Sequence, residues 1–263
     1  MPAIYAHDTF GRIVYKELEG DIHWMVHKYQ EYFRIGLQGP DFLFFYHPLK
    51  KNPIREYGTR LHEEAATGFF ERAREIIADR GKDTPHCAYI LGMICHFMLD
   101  SECHGFVEEM VEDTGISHNE IETEFDRSLL HRAKQNPTEF RVASVIPTDE
   151  GVAWVMSEFY EGLSPHQVRQ CLKSMRRTKN LLHVDGKKKE AVITGVMKAA
   201  RQYDNYGGIV MGLKPNEACR PINRELFARY KAAIQPTVTM IYKYYQAIDS
   251  GEPLSARFER NYE

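Results

Sequence analysis

His96, Asp100 and His104 stand at i, i+4 and i+8 in the stretch Cys95-His96-Phe97-Met98-Leu99-Asp100-Ser101-Glu102-Cys103-His104. Residues four apart are neighbours on one helix face, so this spacing lines up two imidazoles and a carboxylate. Ser117-His118-Asn119-Glu120-Ile121-Glu122 repeats the device, with His118 and Glu122 one helical turn apart. Neutral imidazole nitrogen and ionised carboxylate oxygen are the donors that zinc and its transition-metal neighbours take. Two helices so equipped can hold more than one ion. Clustered divalent ions with a position left open for water suit metal-assisted hydrolysis, because they generate hydroxide near neutral pH and shield an anionic ester.

Other donors lie upstream. His62 follows Gly58-Thr59 and is expected to open a helix; Asp41 ends the loop Gly36-Leu37-Gln38-Gly39-Pro40-Asp41; His7 stands near the start of the chain. A single His/carboxylate pair at i, i+4 arises often by chance, whereas two such pairs and a further histidine between His96 and Glu122 form a stronger pattern. The plain alternative for these five is a buried polar network, which is uncommon because buried carboxylates are rare without partners. His7 reads equally as a ligand or a surface histidine, and Asp41 as a ligand or a loop cap. His23 and His27 form another i, i+4 pair and read as a solvent-facing one. Glu63 and Glu64 read as first-turn acids favoured by the helix dipole.

The elements that must position these groups are helical. Thr84-Pro85 is an N-cap followed by proline at the first helical position, and the apolar pattern runs from Ala88 through Val107, with Gly105 a candidate break. Ser117-x-x-Glu120 has the form of a capping box, which puts His118 in a first turn and Glu122 a turn later. Ser164-Pro165-His166-Gln167 opens another helix with the same grammar. Amphipathic stretches also run over Thr9 to Leu18, Ile22 to Phe33, Leu61 to Ala78, Asp149 to Tyr160, Lys187 to Ala200 and Ile222 to Ile248, with Pro236 a kink or break. Phe42 to Tyr46 and Gly207 to Gly212 read as short strand, loop or short helix alike. With no repeat, low-complexity segment or long linker, the pattern predicts one all-α domain over 1–263 of about eight to ten helices, with the metal site in 1–135 and a helical half in 136–263.

Composition narrows the classes. A chain of 263 residues with 43% hydrophobic content can bury a sizeable core. A net charge of −3 gives no global reason for nucleic-acid binding. A mean hydropathy of −0.48 and no apolar run of about 18 residues argue against a membrane span. The start, Met1-Pro2-Ala3-Ile4-Tyr5-Ala6-His7-Asp8, has neither the basic nor the apolar region of a secretory signal, which predicts a cytoplasmic protein. Five cysteines without a C-x-x-C pair predict no structural disulfide; Cys87, Cys95 and Cys103 read as small buried helix residues, with a thiolate ligand the alternative. Arg169, Lys173, Arg176, Arg177, Lys179, Lys187, Lys188, Lys189, Lys198 and Arg201 face only Asp185 and Glu190 in their segment. That segment reads as a solvated surface or as peripheral contact with an anionic membrane.

The order His7, Asp41, His62, His96-x-x-x-Asp100, His104, His118-x-x-x-Glu122, with the Gly-Leu-Gln-Gly-Pro-Asp segment, resembles the bacterial zinc-dependent phospholipase C family. The resemblance covers residues 1 to about 135. It implies the all-α fold shared by that phospholipase C and the zinc nucleases, and a cluster of two to three Zn2+ ions, with Fe or Mn as substitutes. Asp41, His62, His96 and Asp100 would hold one ion, His104, His118 and Glu122 a second, and His7 with a bridging Asp100 a third. Metal-bound hydroxide would attack a phosphodiester, with Asp41 the general base and a phospholipid the substrate. The secreted members chelate the third ion through a mature first-residue tryptophan, and Met1-Pro2 departs from that, so the third site could be built differently or absent. The alternatives are a nuclease or small-molecule phosphodiesterase on the same cluster, and a metal-binding protein without catalysis.

Overall fold

The long apolar run after Thr84 becomes the helix around which the rest assembles. The computed structural model describes residues 4–262. Among the described residues it contains thirteen α-helices, four short 3-10 segments and no strand. In order they are α1 (Ile4–Glu17), α2 (Gly20–Lys28), α3 (Gln30–Gly36), the 3-10 segment Gly39–Phe45, α4 (Pro53–Glu63), α5 (Thr67–Arg80), α6 (Pro85–Thr114) and α7 (His118–Arg132). The second part has the 3-10 segment Val142–Val145, α8 (Glu150–Ser157), α9 (Pro165–Leu182), α10 (Lys187–Ala199), α11 (Tyr203–Tyr206), the 3-10 segment Gly207–Ile209, α12 (Cys219–Ala232), α13 (Ile234–Ser250) and the 3-10 segment Ala256–Glu259. No helix among the described residues is long and apolar enough to cross a membrane.

The Thr84 hydroxyl accepts the N–H of Cys87, Pro85 sits where its missing N–H costs nothing, and Gly115 closes α6 in the left-handed region at φ +70°. The helix is about 45 Å long and runs unbroken through Gly105. Its residues from His86 to Cys95 are all buried, so it is packed on every side, by α1, α3, α5, α7, α8, α12 and α13.

The tightest of these contacts sets the site. A Cβ on Gly36 would lie 2.2 Å from the Tyr89 carbonyl oxygen, and one on Gly92 2.1 Å from the Phe33 carbonyl oxygen, so α3 and α6 touch backbone to backbone. Past that contact the chain turns at Gly39, whose φ is +54° and whose Cβ would strike the His96 ring at 2.1 Å. The 3-10 segment therefore begins under His96 and delivers Asp41 beside it.

Helix α1 is held from the far side. Asp126 of α7, buried, accepts the N–H groups of Tyr5 (3.1 Å) and Ala6 (2.8 Å), and burial pushes its carboxyl up to about 7 against the pull of those two donors. Arg34 of α3 donates to Asp8 at 2.9 Å. His7 sits between these two anchors. The apolar core extends from Ile4 to Tyr262 and draws on both 1–135 and 136–263.

Several expected boundaries move. The stretch Ile22 to Phe33 is divided at Tyr29 into α2 and α3. Leu61 to Ala78 is two helices: α4 ends at Glu63, Glu64 is extended, and the Ala66 N–H is taken by the Arg260 carbonyl (3.0 Å). His62, Glu63 and Glu64 thus lie at the end of α4 and not in a first turn. Ile222 to Ile248 divides at Ala233, with Pro236 in the first turn of α13, where no helical N–H is required. Phe42 to Tyr46 falls largely in 3-10 structure, and Gly207 to Gly212 begins in it. The Ser164/Gln167 capping box forms in full.

The glycine contact yields a paired prediction. Gly92→Ala should lower the unfolding free energy by about 3 kcal/mol, because the obstructing atoms are backbone and cannot yield. Gly105→Ala, on the same helix with open space around it, should be neutral or stabilising by up to about 1 kcal/mol. Urea unfolding of the two variants checks this; equal effects would refute the packing argument.

Candidate metal centre

The eight candidate ligands of the sequence converge. Three groups have their donor atoms within 4.8 Å of one another: His7 with His96 and Asp100; Asp41 with His62 and His96; His104 with His118 and Glu122. Asp100 lies 3.1 Å from His7 Nε2, 3.0 Å from His96 Nε2 and 3.5 Å from His104 Nε2. Asp41 lies 3.1 Å from His62 Nε2 and 3.8 Å from His96 Nε2. Glu122 lies 3.3 Å from both His104 Nε2 and His118 Nε2. Apart from the half-buried His118, all these residues are buried.

These separations suit donors gathered around a metal. Two donors bound to one tetrahedral zinc at about 2.1 Å stand about 3.4 Å apart. His96 Nε2, Asp100 Oδ2, His104 Nε2, His118 Nε2 and Glu122 Oε2 are buried without a hydrogen-bond partner, and each such atom costs about 1–3 kcal/mol unless something binds it. The far side of three rings is satisfied: His62 Nδ1 donates to the Gly58 carbonyl (2.8 Å), His96 Nδ1 to the Leu37 carbonyl (3.2 Å) and His118 Nδ1 to Glu108 (2.5 Å). With the proton on Nδ1, the Nε2 lone pair points into the cluster. A void of about 30 Å3 bordered by His7, Asp100, His104 and Glu122 leaves room for an ion or a water. The donor set fits zinc.

The grouping differs in one respect from the expected partition. His96 is common to two groups, and its ring stacks on His7 at 4.3 Å. Asp100 falls with His7 and His96, while His62 and Asp41 pair directly. Met1 and Pro2, at which the third site was in question, lie outside the described residues. His23 and His27 stand apart from the cluster, bridged by the Tyr15 hydroxyl (3.3 and 3.1 Å). All five cysteines are free and buried. Burial pushes the Cys95 and Cys103 thiols up, which keeps them protonated.

Charge inside the cluster is strongly coupled. Burial disfavours the ionised Asp100 and Glu122, but the imidazoles around them hold both carboxyls well below the usual range. Burial likewise opposes protonation of His104, yet Asp100 and Glu122 raise it to about 9; His7 and His118 shift upward for the same reason. In the metal-free protein, protons therefore occupy places that a cation would take.

His62, His104 and His118 open onto a cleft of about 280 Å3 walled by Phe44, Thr59, Glu108 and Asn119. Glu108 was not singled out from the sequence, although it adds one more step of four to the series 96, 100, 104. Tyr262 carried no signal at all. Its N–H donates to the His62 carbonyl (3.2 Å), and its buried ring lies 5.2 Å from that of His62 and 5.8 Å from that of His96. Arg257 pins this segment to the Ser101 hydroxyl (3.1 Å) and to Glu102, and Arg260 pins it to the Ser101 carbonyl (2.9 Å), beside Asp100.

A family model described as zinc dependent phospholipase C matches residues 6–167. That span contains all eight cluster residues and ends in the first turn of α9. Comparison with curated proteins and with solved structures returns no match.

Two outcomes follow for the metal. Because the His104 proton must leave before its nitrogen can bind, apparent zinc affinity of the chelator-stripped protein should fall about tenfold or more per pH unit below about pH 9; competition with a chromophoric chelator measures it, and a flat profile would remove the histidines from the binding site. Glu108→Ala should weaken one zinc equivalent by about 10–100-fold through loss of the His118 hydrogen bond, read in the same titration.

Proposed function

Because this chain belongs to the zinc-dependent phospholipase C family, we propose that it is a zinc-dependent hydrolase of phosphoric ester bonds that cleaves a phospholipid as a phospholipase C does. The observation that carries the reading is the run of three adjoining His/carboxylate groups, joined through His96 and Asp100 and open to a cleft at His62, His104 and His118. In this reading His7, Asp41, His62, His96, Asp100, His104, His118 and Glu122 hold two to three ions, and the chain works as a single domain on its continuous core.

Bound zinc supplies a Lewis acid that lowers the pKa of water and neutralises charge on a phosphoryl group. The chain supplies the rest. Asp100 keeps a full negative charge among three imidazoles and fixes their spacing. Asp41, whose Oδ1 stands 3.1 Å from His62 Nε2, accepts the proton of the attacking water. Gly58, Leu37 and Glu108 hold the Nδ1 protons, which keeps each ring in the tautomer that binds. Phe44 gives the cleft one apolar wall, suited to the glycerol side of a phospholipid, and Asn119 gives it a polar one.

Zinc-loaded protein should release diacylglycerol and a phosphorylated headgroup from phosphatidylcholine, identified by mass spectrometry, and should hydrolyse bis-p-nitrophenyl phosphate. Asp100→Asn should lose about 10–100-fold in activity, by loosening the imidazoles and ions that Asp100 holds in place. Equal rates before and after chelation would end the metal-hydrolase reading. Cleavage of single-stranded DNA without cleavage of lipid would replace the phospholipase reading with a nuclease.

A further inference from the structure

Helix α10 covers one of its faces and leaves the other bare. Ile193 is buried, Met197 is half-buried, and Glu190 accepts the Leu213 N–H at 2.8 Å, so these residues turn inward. Ala191, Val192, Gly195, Val196 and Ala199 recur at three- and four-residue intervals on the opposite face and are exposed. Val192 and Val196 are each 64% exposed and Leu181, at the end of α9, 66%. Isolated exposed aliphatics are ordinary, but a stripe of them along one helix face is not.

The charges around the stripe identify what covers it. By helical position Lys187 and Lys198 flank it on one side, Lys189 on the other, and Lys188 stands at its N-terminal end. Lys189 is 3.6 Å from Asp185; Lys187, Lys188 and Lys198 have no carboxylate partner among the described residues. Arg201 follows directly. An apolar stripe edged by long cationic side chains is the pattern of a helix that lies in a bilayer interface, where aliphatic groups enter the acyl boundary and lysines reach back to the phosphates. A second protein surface would need acidic groups placed one by one against these lysines; an anionic bilayer supplies them at any register.

We propose that α10 binds the surface of an anionic phospholipid bilayer, with Val192 and Val196 in the acyl boundary and Lys187, Lys188 and Lys198 among the headgroup phosphates. The choice of a bilayer as occupant rests on the phospholipid reading above. The chain that follows the helix reaches the metal centre. Beyond α11 the backbone of Gly208 presses on the first turn of α7, where a Cβ would lie 2.6 Å from Ser117 Oγ, and Asn216 donates to Glu120 at 2.8 Å. His118 is the neighbour of Ser117, so the segment that leads away from α10 packs on the helix that forms one wall of the cleft.

Co-sedimentation with vesicles tests the proposal on the full chain. Wild type should pellet with mixed phosphatidylcholine and phosphatidylserine vesicles and less with phosphatidylcholine alone. Val192→Asp combined with Val196→Asp should weaken binding at least about tenfold, and charge reversal of Lys187, Lys188 and Lys198 to Glu about 100-fold. Both variants should hydrolyse bis-p-nitrophenyl phosphate at the wild-type rate, which separates binding from chemistry. If wild type bound vesicles without hydrolysing any phosphodiester, the proposed function would fall while the α10 surface stood. The α10 proposal is overturned if wild type stays in the supernatant, if the valine variant pellets like wild type, or if sedimentation velocity shows a dimer that this variant dissociates.

Discussion

Asp100 carries its charge where water does not reach, and three Nε2 atoms within 3.5 Å are what make that charge tolerable. Two of them, His96 and His104, come from its own helix, one turn before and one turn after. The third, His7, comes from α1, and it can arrive only if the start of α1 is fixed. Asp126 does this by taking the N–H groups of Tyr5 and Ala6 in its first turn, and Arg34 secures Asp8, on the other side of His7. The glycine crossing of α3 on α6 then brings Asp41 to the other side of His96. Each distant element is placed by what one buried carboxylate and its imidazoles require.

A step of four residues overshoots the 3.6-residue turn by about 40°. The series His96, Asp100, His104, Glu108 therefore winds around α6. His96 faces Asp41 and His62, Asp100 lies between, and His104 with Glu108 faces α7, where Glu122 and His118 meet them. One straight helix thereby serves two ends of an elongated cluster. A helix giving groups to both ends, and apolar along its first half, has to be enclosed there, which is why so many shorter helices pack around it.

The series His96, Asp100, His104, the caps of α6, α7 and α9 and the all-α class were legible because each rests on residues near in sequence. The Ser117 cap alone puts His118 and Glu122 on the first turns of α7. The division of Leu61 to Ala78 was not legible, since Glu64 is extended where Ala66 bonds to Arg260, far along the chain. The sharing of His96 between two groups was hidden for a similar reason, because it depends on how α1 is aimed. Gly36 and Gly39 were visible in Gly-Leu-Gln-Gly-Pro-Asp, but their reason, backbone contact with Gly92 and a turn under His96, exists only in the fold. The bare face of α10 was half legible: its lysines stood out as charge, while its valines became exposed only once Ile193 and Met197 were seen to turn inward.

Tyr262 closes the buried side of the centre against His62 and His96, and Arg257 and Arg260 clamp that closure to the turn that carries Asp100. Translation reaches these three residues long after it has finished the eight that surround the cluster. Domains start to fold as they emerge from the ribosome, and contacts between residues 62 and 262 are among the slowest for a chain to find. During synthesis the histidines and carboxylates are thus all present while one wall of their chamber is still missing. Order of manufacture makes the arrival of residues 257–262 the step at which this chamber is sealed.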